Sequence, residues 1–292
     1  MRVSENMRLA NTSSAQSRLA ERLDKASRVA SRGSRVAAPS DDPVAYGTKV
    51  RGDNTLALIE RRSQLATKVS GELDVAEGAL STATDLLSQA RATAVEGAND
   101  TLDANARKLL GTQVKALREE MLGLGNTRYG TKYIFGGTQT DTAPFDASGN
   151  FVGNDITTRV PLMDGVEPPA NVSGARAFTA AGGQDVLAAL QTLSDALDAN
   201  DPTTVRAAIG LIDSSHTQLV QGQTEAGLSN ERFKSAVDVM ANTKVVVSGV
   251  IASQVEGDPM QHLTELTLAK SAYEQGVAVT RQLLSLSSLT RQ

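Results

Sequence analysis

Apolar residues recur every seventh position from Ile59 through Ala66, Leu73, Leu80 and Leu87 to Ala94, and Val69, Ala76, Ala83 and Ala90 follow most of them by three. This spacing, held for about five heptads, predicts a long helix with one apolar seam. A second series steps by seven through Val205, Ile212, Leu219, Ala226, Phe233, Met240 and Val247. Its companion position reads Ala208, Ser215, Gly222, Ser229, Ala236, Thr243 and Val250, so one seam position is apolar and the other nearly always small. Large-against-small alternation lets helix axes approach and interdigitate. At 1.5 Å per residue each helix would run roughly 75–80 Å. The expected class is mainly α: an elongated antiparallel helical bundle or coiled coil with a small β-rich insert at its tip.

Shorter helices fit beside these two. Leu110, Val114, Leu117, Met121 and Leu124 step by four and three, as do Val186, Leu190, Leu193 and Leu197 ahead of the breaker Asp201-Pro202. Gly97–Thr101 reads as a turn. From Tyr129 to about Ala181 the periodicity stops, and Gly, Pro, Thr, Asn and Asp become frequent. Four of the five phenylalanines (Phe135, Phe145, Phe151, Phe178) fall there. Ile156–Leu162 alternates loosely as a strand does, and Ala147–Asn150 signals a turn.

The two ends carry narrow stripes. Leu9, Gln16, Leu19, Leu23, Ala26 and Ala30 line an N-terminal helix, and Leu263, Leu266, Ala269, Tyr273, Val277 and Leu284 line a C-terminal one. Helix signals break at Gly33–Pro39 and at Gly257–Pro259. Such helices are marginal alone. They are expected to stay largely unfolded until neighbouring subunits complete them, in preference to simply finishing the bundle. The organisation is therefore an assembly helix over 1–40, half a rod over 41–128, the insert over 129–182, the second half over 183–256, and a second assembly helix over 257–292.

Composition narrows the function. The 292 residues include no cysteine, no tryptophan and 3% aromatic residues, so small apolar side chains carry the burial. Residues 1–40 hold eight Lys or Arg against three Asp or Glu, a net +5 that leaves −9 for the rest of a chain whose total is −4. No aromatic residue is interleaved among those charges to stack bases, so no nucleic-acid partner is expected. No run approaches the ~18 apolar residues of a membrane span, and no h-region of a cleaved signal peptide follows the start. Neither a membrane partner nor a Sec-type leader is expected.

Candidate chemistry resolves into structure. Ser40-Asp41-Asp42-Pro43 offers paired carboxylates, yet Asp before Pro at the head of a long helix is the pattern of an N-cap with Pro at the first helical position. The two histidines, His216 and His262, stand 46 positions apart without the spacing of a metal site. Gly136-Gly137 and Gly182-Gly183 lack the Lys-Ser/Thr of a phosphate loop. No nucleophile–base pair is recognisable. The expectation is a structural protein, with no catalytic residues, cofactor or metal.

Ala30-Ser31-Arg32-Gly33 leading into Pro39-Ser40-Asp41-Asp42-Pro43-Val44-Ala45 resembles the N-terminal domain of the flagellin superfamily. Asn126–Tyr129, Tyr133-Ile134-Phe135-Gly136-Gly137-Thr138 and Ala143-Pro144-Phe145 resemble, within it, the hook–filament junction family called hook-associated protein 3. Ala269–Glu274 and Leu283-Leu284 are similar to that family's terminal helix. The resemblance implies a secreted, extracellular adaptor layer that self-associates in a ring. Its partners would be hook-associated protein 1 below, and flagellin and the filament cap beyond. It implies export without a cleaved signal peptide through the flagellar type III channel, with a chaperone holding the C-terminal helix. Inter-subunit assembly then falls to Leu9, Leu19, Leu23, Ala26, Leu263, Leu266, Ala269, Tyr273, Val277 and Leu284. The helix cap is Ser40–Pro43, and Tyr133, Phe135, Gly136, Gly137, Pro144 and Phe145 anchor the insert. The alternatives are a flagellin, and a secreted coiled-coil effector.

Overall fold

The computed structural model describes residues 2–163, 165–256 and 258–289. Seven α-helices are present among them: α1 (Arg2–Arg32), α2 (Pro43–Gly97), α3 (Ala104–Gly125), α4 (Gly174–Phe178), α5 (Val186–Asp198), α6 (Pro202–Val255) and α7 (Pro259–Leu289). A single two-residue ladder joins β1 (Arg128–Tyr129) to β2 (Lys132–Tyr133) in antiparallel register. The residues fall into two compact units, Glu60–Ala241 and the remainder on either side of it.

In the Glu60–Ala241 unit the heptad seams become the core. Ala66, Val69, Leu73, Ala76, Leu80, Ala83, Leu87, Ala90 and Ala94 of α2 are buried, as are Val205, Ala208, Ile212, Leu219, Ala226, Phe233, Ala236 and Met240 of α6. The two helices run antiparallel: Arg91 pairs with Asp213 at 2.6 Å and Lys234 with Asp74 at 2.9 Å, so numbers fall on one as they rise on the other. Between them, Ser70 Oγ donates to Asn230 Oδ1 (2.7 Å) and Asn230 Nδ2 donates to Asp74 Oδ1 (2.6 Å). A buried amide satisfied in this way fixes the register of a helix pair.

Helices α3 and α5 pack together beside them, each starting at an aspartate whose carboxylate accepts a first-turn amide, Asp103 from Ala106 and Asp185 from Ala188. Buried Arg107 binds the end of α2: its Nε donates to the Gly97 carbonyl (3.0 Å), Nη2 to that of Asn99 (2.6 Å) and Nη1 to Asn200 Oδ1. Those carbonyls would otherwise be orphans of the helix terminus.

The insert is built on rings more than on strands. Phe135, Phe145 and Phe178 meet edge to face at 5.2 and 5.7 Å, and Phe151 joins Phe145 at 5.2 Å. Edge-to-face aromatic pairs add to the stabilisation from burial itself. Ile156–Leu162, expected as a strand, contributes one isolated bridge, Arg159 to Pro169. The placement also differs from the sequence expectation. The insert lies along the flank of the helices, where the Tyr129 hydroxyl sits over Gly71, and not at the end formed by the turns after Gly97 and Asp198. The reason is that α3 runs back alongside α2 before the insert begins. Gln218 of α6 staples the return: its Nε2 lies 3.0–3.1 Å from the carbonyls of Ala177, Thr179 and Gln184, and its Oε1 accepts the Gln184 amide at 2.8 Å.

The other unit is thinly cored. Val36, Ala45 and Val255 are buried with Tyr46 and Ile251 against them. Helices α1 and α7 pack on each other, so each terminal helix has a partner inside its own chain, where the sequence reading looked to neighbouring subunits to complete them. The contact is close where Leu19 crosses Gly276, since a Cβ there would come within 2.6 Å of the Leu19 side chain.

Leu87→Ala should destabilise the Glu60–Ala241 unit by about 2–5 kcal/mol, whereas exposed Val245→Ala should change stability by no more than about 0.5 kcal/mol. Urea unfolding followed by circular dichroism checks the ranking, and equal losses would contradict the assignment of the core.

Candidate functional site

Among the described residues no group of three His, Cys, Asp or Glu side chains could hold a metal ion. His262 is buried in α7 and His216 lies half-buried on α6. Exposed apolar side chains occur in both units, and those of the unit outside Glu60–Ala241 lie mostly on α2, α6 and α7.

The α6 heptad seam continues past Ala241 with thinner cover: Val247 is half-buried beside Gly52 of α2, while Val245 and Val246 lie off the seam. Val245 and Val246 are 71% and 65% exposed, and Val250 is exposed as well. On α2, Val44 (76%), Val50 and Leu58 are exposed, and on α7 so are Met260 (69%), Leu263 (54%), Leu268 and Val279. The Glu60–Ala241 unit also exposes large apolar side chains, Leu109, Ile156 and Leu228 among them. But the run Val245-Val246 and the exposed residues of α7 belong to a unit with a small core, which suits a surface that another molecule covers. The same valines give α6 one 18-residue window apolar enough by length and composition to cross a membrane, of which 11% is buried within the chain. The sequence reading found no such run. It counted uninterrupted apolar residues, and Ser, Thr and Gly interrupt this window without making it polar.

The stripes predicted to meet neighbouring subunits divide. Leu19, Leu23 and Ala26 of α1 and Leu266, Tyr273 and Val277 of α7 are half-buried, and Ala269 is fully buried. Seven of the ten are therefore at least partly covered within the chain, where α1 and α7 pack on each other. Leu263 is exposed, and the side chains of Leu9 and Leu284 lie outside the described residues. Met260, Leu268, Val279, Val44, Val245 and Val246 were not singled out from sequence. The Val245-Val246-Val247 run was the available signal.

The Ser40–Pro43 segment adopts the geometry of a cap. Asp42 Oδ1 accepts the amides of Val44 (3.1 Å) and Ala45 (3.0 Å) with Pro43 at the first helical position, and Asp41 Oδ2 accepts those of Ala37 and Ala38, each at 3.0 Å. The Ala45 amide, and then the Arg35 guanidinium 3.2 Å away, holds Asp42 below the usual carboxylate range. The Ala37 and Ala38 amides do the same for Asp41. Ser40 is exposed and its hydroxyl takes no part in the capping bonds of the two aspartates.

The insert anchors converge on one cluster. Phe135, Gly136, Gly137, Pro144 and Phe145 are buried, and Tyr133 is half-buried beneath the Arg128 guanidinium, 4.2 Å from its ring centroid. Gly137 has φ of +68°, a conformation that disfavours L side chains, and a Cβ on Gly136 would come within 2.3 Å of the Gln139 carbonyl oxygen.

Residues 3–140 match the model of the bacterial flagellin N-terminal helical region. Over 125 residues the chain is 35% identical to flagellar hook-associated protein 3 of Escherichia coli K12, a match covering 42% of this chain and 39% of that protein. The chain thus spans about two-fifths of the length of that curated relative. In fold it is similar to the crystal structure of Xanthomonas campestris FlgL (TM-score 0.62, 17% identity, 69% of this chain and 99% of that one). It is also similar to the flagellar junction protein FlgL of Legionella pneumophila (TM-score 0.57, 15% identity, 71% and 99%).

A carboxylate whose pKa is depressed by folding contributes stability above its unfolded pKa and loses it as pH falls through the folded value. Amides of residues 35–46 should therefore exchange faster as pH drops below ~4, after correction for intrinsic rates. The Asp41→Asn/Asp42→Asn double variant should flatten that dependence. An unchanged acid profile in the double variant would show that these carboxylates do not hold the turn.

Proposed function

We propose that this chain, a member of the flagellin superfamily, is a structural subunit of the bacterial flagellum, located outside the cell, and that it forms the adaptor layer between hook and filament. The observation that carries the reading is the set of exposed apolar side chains on α2, α6 and α7 in a unit whose own core is small. Burying a Val, Leu or Met side chain contributes roughly 1.5–3 kcal/mol as an upper bound. Several such residues per subunit offset the entropy of fixing neighbours together. A surface of this kind suits a repeated contact between copies, because a head-to-tail contact that closes generates a ring.

The names of the matched relatives, and the Tyr-Ile-Phe-Gly-Gly and Pro-Phe anchors of the insert, support the junction position. Its partners on this reading are further copies of the chain, hook-associated protein 1 on the hook side, and flagellin with the filament cap on the other. An export chaperone on the C-terminal helix, and export without a cleaved signal peptide, belong to the same reading. The match of residues 3–140 to the flagellin helical region also fits a filament subunit, which is the second reading. The apolar α6 window fits burial between subunits, so no membrane partner is invoked. No catalytic role or cofactor enters.

Labelled protein on detached flagella should form a single band at the hook's end, and label along the whole filament would decide for the flagellin reading. Removing residues 257–292 should leave the cooperative melting of the Glu60–Ala241 unit unchanged while abolishing incorporation. Incorporation of the truncated chain would contradict the role given to α7.

A further inference from the structure

The segment between α1 and α2 completes a helix end far away in sequence. The Arg35 amide donates to the Val255 carbonyl at 2.9 Å and the Val36 amide to the same oxygen at 3.4 Å. Ser34 Oγ lies 3.4 Å from that oxygen across 221 positions of sequence. Arg35 Nη2 donates to the Gln254 carbonyl at 2.9 Å and also reaches Asp42 at 3.2 Å. Ser34 and Glu256 form an antiparallel bridge. Below these bonds, Val36, Ala45 and Val255 make the small core of the unit.

The carbonyls of Gln254 and Val255 have no intrahelical donors at the end of α6. A linker that supplies them is a C-cap contributed from the other end of the chain. One arm of it leads directly into α1, and the other leaves toward α7. Arg35 also links the two halves of the clasp to the cap of α2 through Asp42.

We propose that residues 34–36 and 254–256 form a clasp that makes α1 and α7 order and loosen together, as one element. The inference concerns the isolated chain and stands apart from its position in the flagellum. Arg35 is a positioning residue within it. The consequence is reciprocal: covering either terminal helix stabilises the clasp, and through it the other helix.

Hydrogen exchange on the full chain tests this. Arg35→Ala should raise exchange at least tenfold in both α1 and α7, with the amides of the 66–240 core unchanged. The chain has no cysteine, so Ser34→Cys with Glu256→Cys gives a clean cross-link across the bridge. Once oxidised, that pair should slow exchange in both terminal helices and restore protection when combined with Arg35→Ala, and reduction should reverse both effects. Loosening confined to one terminal helix, no change in either, or failure of the cysteine pair to oxidise would each overturn the proposal.

Discussion

The close approach of α2 to α6 underlies everything else in the molecule. It depends on side chains that are small at one seam position and apolar at the other: Ala76, Ala83 and Ala90 between Leu73, Leu80 and Leu87, facing Ser215, Gly222 and Ser229 between Ile212, Leu219 and Ala226. With no tryptophan and few other rings, the chain gains its burial from the length of this seam. The polar step at Ser70, Asn230 and Asp74 then makes one alignment of the helices better satisfied than its neighbours.

The cover of the seam thins toward the end of α6. Up to Ala241 the chain surrounds it with α3, α5 and the insert, all members of the same unit. Beyond that point the apolar period continues through Val247 and Val250 while solvent reaches most side chains of 241–250. The terminal helices cover part of each other but leave Met260, Leu263 and Leu268 open. A surface of this composition is stable in a monomer only because it is thin and interrupted by Thr, Ser, Lys and Glu. On the proposed function, repetition along an assembly would make it a core shared between molecules.

The helices and both seams were legible in sequence because the α-helical period is set by backbone geometry alone. The cap at Asp42-Pro43 was legible for the same reason, being local. What could not be read was set by distance along the chain. The position of the insert depends on α3 turning back along α2, and the burial of Gln218 and Arg107 depends on carbonyls supplied by remote segments. The partition of the terminal stripes also lay beyond reach. Ala269 and Leu263 share one apolar period, but only Ala269 is buried, at 3% exposure. Periodicity identifies a face without saying who covers it.

On the proposed function, the face around Val245 is open in the single chain and covered in the assembly. The most direct test is maleimide labelling of a Val245→Cys variant in the otherwise cysteine-free chain, free in solution and incorporated in detached flagella. Labelling should be rapid in the free chain and at least tenfold slower once incorporated, while a Val152→Cys control on the insert reacts in the free chain as Val245→Cys does. Equal reactivity at position 245 in both states would contradict the account.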